Sequence, residues 1–484
     1  MSESLWTVDE MVQAMGAERS GALPAAVGGI SIDSRSIRFG EAFFAITGDN
    51  RDGHAFVAAA LKGGAALAVV AAGRRGALGL DDIKDAPLLL VPDVLEGLRG
   101  LARAARARSN AKVIGITGSV GKTGTKEALR LALAASGETH ASVASYNNHW
   151  GVPLSLARLP ASARYAVFEM GMNHAGEIEP LTRLARPHVA IITTVEPVHL
   201  EFFGSVEAIA DAKAEIFLGV EPGGAAVINR DNPQFERLAG VAKRAGVGRI
   251  VSFGEHAKAD SRLIKSSLHP DRSTVQARIL GADVTYKLGT PGQHLVLNSL
   301  AVLAAASLVG ADLALAALSL GELRPAAGRG ARIVLDLGAG TTLLIDESYN
   351  ANPASMRAAI ALLGQAEIGP RGRRIAVLGD MLELGAAGTG LHRALAEPVL
   401  AHGVDLVFCC GPLMRALWEA LPSERRGGYA ETSGGLESEL VAALRPGDAV
   451  MVKGSLGSRM GPIVKALERR FPRREASPAT AAPA

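Results

Sequence analysis

The run GITGSVGKTGTK, residues 115–126, sets the fold expectation for this chain. It follows a short apolar stretch at residues 112–114 and precedes a segment rich in Ala and Leu. A strand, a glycine-rich turn and a helix in this order form an anion site, because the turn exposes backbone N–H groups and the helix N-terminus adds partial positive charge. The sequence therefore predicts a phosphate-binding loop at the carboxyl end of a strand.

The loop matches the short pattern T-G-x-x-G-K-T. The longer pattern G-x-x-x-x-G-K-[ST] fails, because the residue five positions before Gly121 is Ile116. In such a loop the lysine, here Lys122, reaches the β and γ phosphates of ATP, and the hydroxyl of Thr123 binds Mg²⁺. The predicted ATP contacts within the loop are Thr117, Gly118, Ser119, Val120, Gly121, Lys122 and Thr123.

Outward from this loop the chain alternates apolar strands with helices. The runs KVIGITG, RYAVFEMG, HVAIITTV and GGAAVINRD predict an α/β domain at residues 109–327, with a P-loop-type, mostly parallel sheet and helices on both faces. Shorter β-like runs and an Arg/Ala-rich helix predict a small N-terminal α/β domain at residues 1–108. The expected architecture is therefore α/β with several domains.

A third unit follows a break near RPAAGRGARI. The strand-like runs TTLLIDE, RRIAVLGD, VDLVFCCG and DAVMVKGS, each followed by a helical stretch, predict a C-terminal Rossmann-like doubly wound domain at residues 328–472. Asn352 and Pro353 mark a helix start, with Asn as the N-cap and Pro in the first helical position. Residues 473–484, rich in Ala and Pro, are predicted to be a disordered tail.

Composition restricts the partners and the compartment. The 484 residues carry 51 Lys and Arg against 48 Asp and Glu, with 4% aromatic residues. This composition lacks the basic excess and the stacking surface of a nucleic-acid binder, so we expect no nucleic acid and favour small-molecule substrates. The only cysteines, Cys409 and Cys410, lie in an apolar run, which is typical of a buried strand in a reducing cytoplasm. No signal peptide is evident, and a cytoplasmic protein is expected.

One segment, residues 294–321, is long enough to span a bilayer. It is interrupted by Asn298, Gly310 and Asp312, and no Lys/Arg-rich loop flanks it. We therefore predict two buried helices joined at residues 310–312 and no membrane insertion.

Two polar side chains follow apolar strands in the central domain. Glu169 lies at the end of YAVFE, and His199 lies just past VAIITTV. A carboxylate and an imidazole near an ATP-Mg²⁺ complex bound through Thr123 would suit a second divalent cation. A lone histidine is more often structural and a strand-end glutamate is usually a solvated cap, but both fall at the functional edge of one inferred sheet, which favours a metal site.

A set of longer motifs connects these features. These are TGSVGKT, SYNNHWGVP, EMGMNHAGEI, VEPVHLEFFGS, AKAEIF, INRDNP, GQHLVLN, DESYNANPASM and LGDMLELG in the central and C-terminal domains, with IDSRS and TGDNRDGH in the N-terminal domain. Together they resemble the Mur ligases, ATP-dependent amide-bond-forming enzymes of peptidoglycan synthesis. EMGMNHAGEI, SYNANPASM and LGDMLELG most resemble the members that join D-alanyl-D-alanine to UDP-N-acetylmuramoyl-tripeptide.

The resemblance implies roles for residues of the central domain. It implies that Lys122 and Thr123 contact the ATP phosphates and Mg²⁺, and that Glu169 and His199 bind metal, with two Mg²⁺ ions expected. Lys213 matches the family's carbamylated lysine, in which a neutral amine captures CO₂ and becomes an anionic oxygen ligand. Further implied positions are Asn147 and Asn148 near the peptide substrate and phosphates, and His294 and Asn298 near the adenine.

The resemblance also implies roles in the outer domains. Arg329 and Asp346 match ATP contacts at the second interdomain seam. Ser34, Asn50 and Arg51, in IDSRS and TGDNRDGH, match the UDP-binding segment. Asn350, Asp380 and Lys453 match positions near the dipeptide or the reacting phosphate, and the implied catalytic set is Lys122, His199, Lys213 and Lys453. The chain departs from the family where Glu347 stands in place of the second of two consecutive Asp residues, and at His149-Trp150.

The implied activity is an acid–D-amino-acid ligase that works through an acyl phosphate, releases ADP and phosphate, and acts as a monomer. Two alternatives stay open within the class: a Mur-type ligase that adds a diamino acid, and a relative of folylpolyglutamate synthase. From another class, a P-loop switch or transport ATPase would have neither the metal-binding pair nor a UDP-sugar domain, and would hydrolyse nucleotide without an acceptor.

Overall fold

The computed structural model describes residues 4–48, 51–79, 85–143, 145–198 and 200–474. Two residues that the sequence predicts as contacts, Asn50 and His199, lie outside these ranges. The described chain forms three larger sheets that occupy successive segments, and a two-stranded ribbon near the N-terminus.

The N-terminal segment is an α/β unit. Its helices are α1 (Val8–Met15), α2 (Val57–Lys62) and α3 (Val94–Arg108), and its strands are β1 (Trp6–Thr7), β2 (Glu18–Ser20), β3 (Ala26–Val27), β4 (Gly29–Ser31), β5 (Glu41–Phe44), β6 (Leu67–Ala71) and β7 (Leu88–Val91). The sheet order is β2-β7-β6-β5-β4, with β4 to β7 parallel and β2 antiparallel at the edge. The buried Trp6 joins this unit to the next, since its Nε1 donates to the Ala157 carbonyl at 2.8 Å.

The central segment holds a nine-stranded sheet within the described ranges. Its strands are β8 (Lys112–Thr117), β9 (Thr139–Ala141), β10 (Tyr165–Glu169), β11 (Val189–Ile192), β12 (Ala225–Asn229), β13 (Arg249–Gly254), β14 (Ser261–Leu268), β15 (Ser273–Ile279) and β16 (Ala282–Leu288). Its helices are α4 (Lys122–Ala134), α5 (Gly151–Ala157), α6 (Ile178–Ala185), α7 (Leu200–Phe203), α8 (Val206–Ala214), α9 (Phe235–Arg244), α10 (Gln293–Leu308) and α11 (Leu313–Ser319).

Helices cover both faces of this sheet, as predicted. Side chains alternate along a strand, so Ile114 and Ile116 of β8 pack with α4, α10 and α11, whereas Val113 packs with α5, α6, α8 and α9 on the other face. Burial on both faces explains why β8 reads as a nearly continuous apolar run.

The strand order places a crevice at β8. The order is β16-β15-β14-β13-β12-β11-β8-β10-β9, so the chain leaves β8 toward β9 and β10 on one side and later returns to β11 on the other. In open parallel sheets, ligands bind outside the carboxyl ends of the strands at such a switch point. The loop after Thr117 therefore lies where this fold binds ligands.

The C-terminal segment is a doubly wound sheet with the order β17-β18-β22-β19-β20-β21. Its strands are β17 (Ala331–Asp336), β18 (Thr341–Glu347), β19 (Arg374–Gly379), β20 (Leu406–Cys410), β21 (Arg426–Ala430) and β22 (Ala449–Lys453). Its helices are α12 (Pro353–Gly364), α13 (Gly388–Arg393), α14 (Ala396–Ala401), α15 (Arg415–Ala420), α16 (Ser433–Ala443) and α17 (Gly461–Arg470). Asn352 caps α12 by accepting from Ser355 N at 2.9 Å, as the sequence predicts.

The structure agrees with the expectation for the apolar segment 294–321 but differs from the expected start of the C-terminal tail. The apolar segment 294–321 forms α10 and α11 with a break between them, as expected, and no helix in the described ranges is both long and apolar enough to span a membrane. The tail was predicted to begin at residue 473, but Arg473 bridges Leu335 and Arg474 N donates to the Val334 carbonyl at 2.9 Å. Strand β17 lies at the edge of its sheet, where one row of backbone N–H and C=O groups has no neighbouring strand, and Arg473 and Arg474 pair with part of that row. Residues 475–484 lie outside the described chain.

Candidate active site

The loop after β8 takes a shape that requires two glycines. Gly118 has φ +149° and Gly121 has φ +88°, and both lie in the region that L side chains rarely adopt. A Cβ atom at Gly118 would overlap Thr193 Oγ1, and one at Gly121 would overlap Asn298 Nδ2. The loop thus packs closely against β11 and α10, and α4 begins at Lys122 with the unpaired N–H groups of its first turn at the loop.

Substitution of Gly118 by Ala is expected to weaken ATP binding about 10- to 100-fold, because the new methyl group meets Thr193 and the backbone must hold a strained angle. Calorimetric titration with a non-hydrolysable ATP analogue measures the effect. Gly434→Ala is the matched control, since its Cβ would meet nothing within 4 Å and it lies on helix α16, away from the loop. Gly118→Ala binding within twofold of the native protein would contradict this description of the loop.

Thr123, Glu169 and Asn147 form one hydrogen-bonded cluster next to the loop. The Thr123 hydroxyl donates to Glu169 Oε2 at 2.8 Å, and Asn147 Nδ2 donates to Glu169 Oε1 at 2.7 Å. Glu169 is buried at the end of β10, as the sequence predicts. A hydroxyl and a carboxylate are hard oxygen donors of the kind that Mg²⁺ takes. The described residues contain no group of three or more His, Cys, Asp or Glu side chains that could hold a metal without further ligands.

Lys122 faces this cluster. Its Nζ donates to the Gly118 carbonyl at 2.6 Å. Burial lowers the pKa of Lys122, the nearby Glu169 carboxylate opposes that shift, and the Arg329 guanidinium adds to it. Lys122 and Arg329 thus lie close together, and a bound polyphosphate would supply negative charge between them.

Lys213 is buried on α8, with 2% of its surface exposed. Burial, with the charge of Lys122 adding to it, lowers its pKa well below the ordinary value. No acidic group in the described chain offsets that shift. Burial thus favours the neutral form of the amine, which is the form that can react with CO₂.

A cavity of about 620 Å³ joins the central and C-terminal segments around this loop. Residues from α10 and from the ends of β18 and β22 complete its wall. The predicted site residues that line it are Ser119, Val120, Gly121, Lys122, Thr123, Asn147, Glu169, His294, Asn298, Arg329, Asn350 and Lys453. The structure thus brings together residues that are more than 300 positions apart in sequence.

Arg329 connects the two segments across the cavity. Its Nη2 donates to Ser145 Oγ at 3.0 Å, and its guanidinium lies 4.2 Å from the ring centre of Tyr349. Ser145 Oγ also lies 3.5 Å from the Thr123 hydroxyl. Arg329 therefore reaches the phosphate side of the cavity from the C-terminal segment.

Several predicted residues do not line this cavity. Thr117 is buried in β8, and Gly118 contributes the carbonyl that Lys122 contacts. Asn148 Oδ1 accepts from Gly151 N at 2.9 Å and so supports the start of α5. Asp346 is enclosed by the Gly328 N–H, the Ser348 N–H and the Ser348 hydroxyl, at 2.9, 3.1 and 2.6 Å.

Asp380 is also engaged by backbone. Its carboxylate accepts from Met414 N at 2.8 Å and from Leu413 N at 3.3 Å, and it is 4% exposed. Burial raises its pKa, although those two N–H groups act in the opposite direction. Its role near the dipeptide stays a prediction, and the contacts seen here hold the segment after β20.

The predicted UDP segment lies at one edge of the N-terminal sheet. Ser34 follows β4 and Arg51 follows β5, and these strands are parallel neighbours, so their carboxyl ends meet. Arg35 holds Asp33 through two hydrogen bonds at 2.9 and 2.7 Å and lowers its pKa, with a smaller effect from Arg51. The arginines at this edge suit an anionic ligand.

Sequence reasoning missed Glu347, Tyr349 and Ser145 as lining residues. Asp346 and Glu347 are consecutive in β18, so their side chains point to opposite faces of the sheet. Only Glu347 faces the cavity, where its Oε2 lies 3.1 Å from Lys453 Nζ. Because side chains alternate along a strand, the sequence could predict that only one of Asp346 and Glu347 faces the cavity. Which one does so follows only from the packing.

Models of protein families match the chain in three places. These are the Mur ligase family, catalytic domain, at residues 26–105, the Mur ligase middle domain at residues 116–306, and the Mur ligase, glutamate ligase domain, at residues 332–456. The matches follow one another along the chain in the order of its three larger sheets.

Individual proteins are similar over nearly the whole length. The UDP-N-acetylmuramoyl-tripeptide--D-alanyl-D-alanine ligase of Escherichia coli strain K12 is 33% identical over 463 residues, which cover 96% of this chain and 98% of the relative. A crystal structure of MurF from Acinetobacter baumannii superposes with a TM-score of 0.81 at 30% identity, over 96% of this chain and 99% of that one. MurF ligase from Thermotoga maritima, solved in complex with ADP, gives a TM-score of 0.73 at 27% identity, over 91% and 97%.

Proposed function

Since this chain belongs to the Mur ligase family, we propose that it joins D-alanyl-D-alanine to UDP-N-acetylmuramoyl-tripeptide with ATP, releasing ADP and phosphate in peptidoglycan precursor synthesis. The observation that carries the proposal is the shared cavity. Lys122, Thr123, Glu169 and Asn147 line it from the central segment, and Lys453 lines it from the C-terminal segment. A nucleotide at the loop would thus lie between polar side chains of both segments.

The chemistry begins with a carboxylate, which is a poor acyl donor because its charge is delocalised and its leaving group would be oxide. The tripeptide carboxylate attacks the γ-phosphorus of ATP, and ADP leaves with the electron pair of the broken P–O bond. The product is an acyl phosphate. The dipeptide amine then attacks the acyl carbon, the tetrahedral intermediate collapses with release of phosphate, and the amine loses a proton.

The residues of this chain position the reactants and neutralise charge. Lys122 would contact the β and γ phosphates, and Arg329 would add a second positive charge from the opposite wall. Asn147, whose Nδ2 donates to Glu169, would contact the peptide substrate in the cavity. Lys453 would contact an oxygen of the reacting phosphate or of the dipeptide. No side-chain nucleophile is required by this sequence of steps.

Mg²⁺ would be held by Thr123 and Glu169, with His199 and a carbamylated Lys213 as further ligands, and two ions are proposed. When bound, Mg²⁺ would neutralise phosphate charge and orient the γ-phosphate for in-line attack. The carbamate forms when the neutral Lys213 amine adds to CO₂, which creates an N–C bond and releases one proton. The burial of Lys213 and the lowered pKa of its amine support that reaction.

We further propose a UDP site at Ser34, Asn50 and Arg51, adenine contacts at His294 and Asn298, domain boundaries near residues 108 and 327, a monomeric state and a cytoplasmic location. The boundaries are supported by the end of α3 at Arg108 and the start of β17 at Ala331. The UDP site is supported by the meeting of the β4 and β5 ends.

Phosphate release by the purified protein tests the proposed function. ATP, Mg²⁺, UDP-N-acetylmuramoyl-tripeptide and D-alanyl-D-alanine are supplied together and then omitted one at a time. We expect release only in the complete mixture, with a pentapeptide product seen by mass spectrometry. L-Glutamate, L-lysine and diaminopimelate serve as alternative acceptors. Release that is indifferent to the dipeptide, or product formed with another acceptor instead, would contradict the proposal.

A further inference from the structure

Glu347, at the C-terminal wall of the cavity, has no role in the steps above, although it forms an ion pair with Lys453. Strands β18 and β22 are parallel neighbours, and Glu347 and Lys453 are register partners at their carboxyl ends. Glu347 Oε2 lies 3.1 Å from Lys453 Nζ, and the same Nζ donates to the Asn350 carbonyl at 3.0 Å. An ammonium group has three N–H donors, and two are fixed by these contacts.

Because this pair is buried, the charged form of Lys453 depends on its partner carboxylate. The Lys453 side chain is 3% exposed and that of Glu347 is 19% exposed. Placing a lysine ammonium in a protein interior without a counterion is costly, whereas a close carboxylate with an additional acceptor offsets much of that cost. In the described chain, Glu347 is the carboxylate that forms an ion pair with Lys453.

The pair faces the nucleotide side of the cavity. His294 lies on the first turn of α10, close enough to be affected by both charges. Burial lowers its pKa, the Glu347 carboxylate opposes that shift and the Lys453 ammonium adds to it. Glu347, Lys453 and His294 all line the cavity that holds Lys122. Two hydrogen bonds of Lys453 Nζ are seen within the described chain, which leaves one N–H to contact a ligand in this cavity.

We propose that Glu347 is a positioning residue, which with the Asn350 carbonyl fixes the Lys453 ammonium so that its remaining N–H contacts an anionic oxygen during acyl transfer. The inference rests on the proposed function and adds a residue to it. A carboxylate one methylene shorter would lie farther from Lys453 Nζ if the backbone and the lysine kept their positions. An amide of the same length would keep the shape and lose the charge.

A double-mutant cycle tests this role, with kcat and the KM of each substrate measured for Glu347→Gln, Lys453→Met and the double variant. We expect Glu347→Gln to lower kcat about 10- to 100-fold while the KM for ATP stays within about threefold. Because Glu347 acts through Lys453, the double variant is expected to be no slower than Lys453→Met alone. Glu437→Gln, on the outer helix α16, is the matched control.

Thermal unfolding shows whether the Glu347→Gln protein is folded. If it is not, Glu347→Asp provides a second test. We expect an intermediate loss of kcat, about 3- to 10-fold, that disappears in the Lys453→Met background. Losses that multiply in the double variants, or a Glu347→Gln kcat within twofold of the native value, would overturn the inference and leave the ligase intact. A native protein that forms no dipeptide-dependent product would overturn both.

Discussion

Replacement of Lys122 by Met is expected to lower kcat for ligation about 10³-fold. Lys122 is the lysine of the phosphate loop, its Nζ lies 2.6 Å from the Gly118 carbonyl, and it lines the cavity beside Glu169. A methionine fills similar space but cannot neutralise charge on the phosphoryl group as it transfers. Initial rates of pentapeptide formation at saturating substrates measure the effect.

The control for this prediction is Lys112→Met, which removes an exposed lysine at the start of the same strand, β8. Its kcat should stay within twofold of the native value. A Lys122→Met protein that folds normally and retains more than a tenth of the native kcat would show that the loop does not serve the reacting phosphate.

The second large effect is expected at Lys213. Replacement by Ala should lower kcat about 10²-fold, because the site loses the anionic ligand that a carbamate would supply. The cavity left by the side chain should admit a small carboxylate, so added acetate is expected to restore part of the activity. Lys243→Ala, on the exposed face of α9, is the control and should behave like the native protein.

The carbamate itself can be observed. In the native protein, ¹³C-labelled CO₂ should give a carbamate signal in the ¹³C spectrum that is missing from Lys213→Ala. Burial lowers the pKa of the Lys213 amine and so favours this reaction, since only the unprotonated form adds to CO₂. A Lys213→Ala protein with more than half of the native activity, or the same spectrum for both proteins, would rule out the carbamate.

The sequence predicted most of the fold because its signals are local. The apolar run of β8, the two glycines of the loop, the Asn352 cap and the break near residue 310 each depend on neighbouring residues alone. The antiparallel strands β15 and β16, which extend the central sheet, were not singled out. Their exposed faces give short mixed runs that resemble loops.

The site was harder to predict where contacts are distant or where a side chain has two uses. The Ser145–Arg329 hydrogen bond joins residues 184 positions apart, and no local pattern indicates it. A strand-end carboxylate such as Asp380 can face a ligand or cap a neighbouring segment, and here its visible contacts are Leu413 N and Met414 N. On helix periodicity alone, Lys213 would pass for an ordinary exposed lysine, whereas packing of α8 buries it.

The central claim is that ATP is spent on the tripeptide carboxylate inside this cavity, and an isotope transfer measures that most directly. UDP-N-acetylmuramoyl-tripeptide labelled with ¹⁸O in its reacting carboxylate is converted with ATP and D-alanyl-D-alanine, and the released phosphate is analysed by mass spectrometry. If an acyl phosphate forms, one labelled oxygen passes from each carboxylate to the phosphate. Unlabelled phosphate accompanying pentapeptide product would contradict the account.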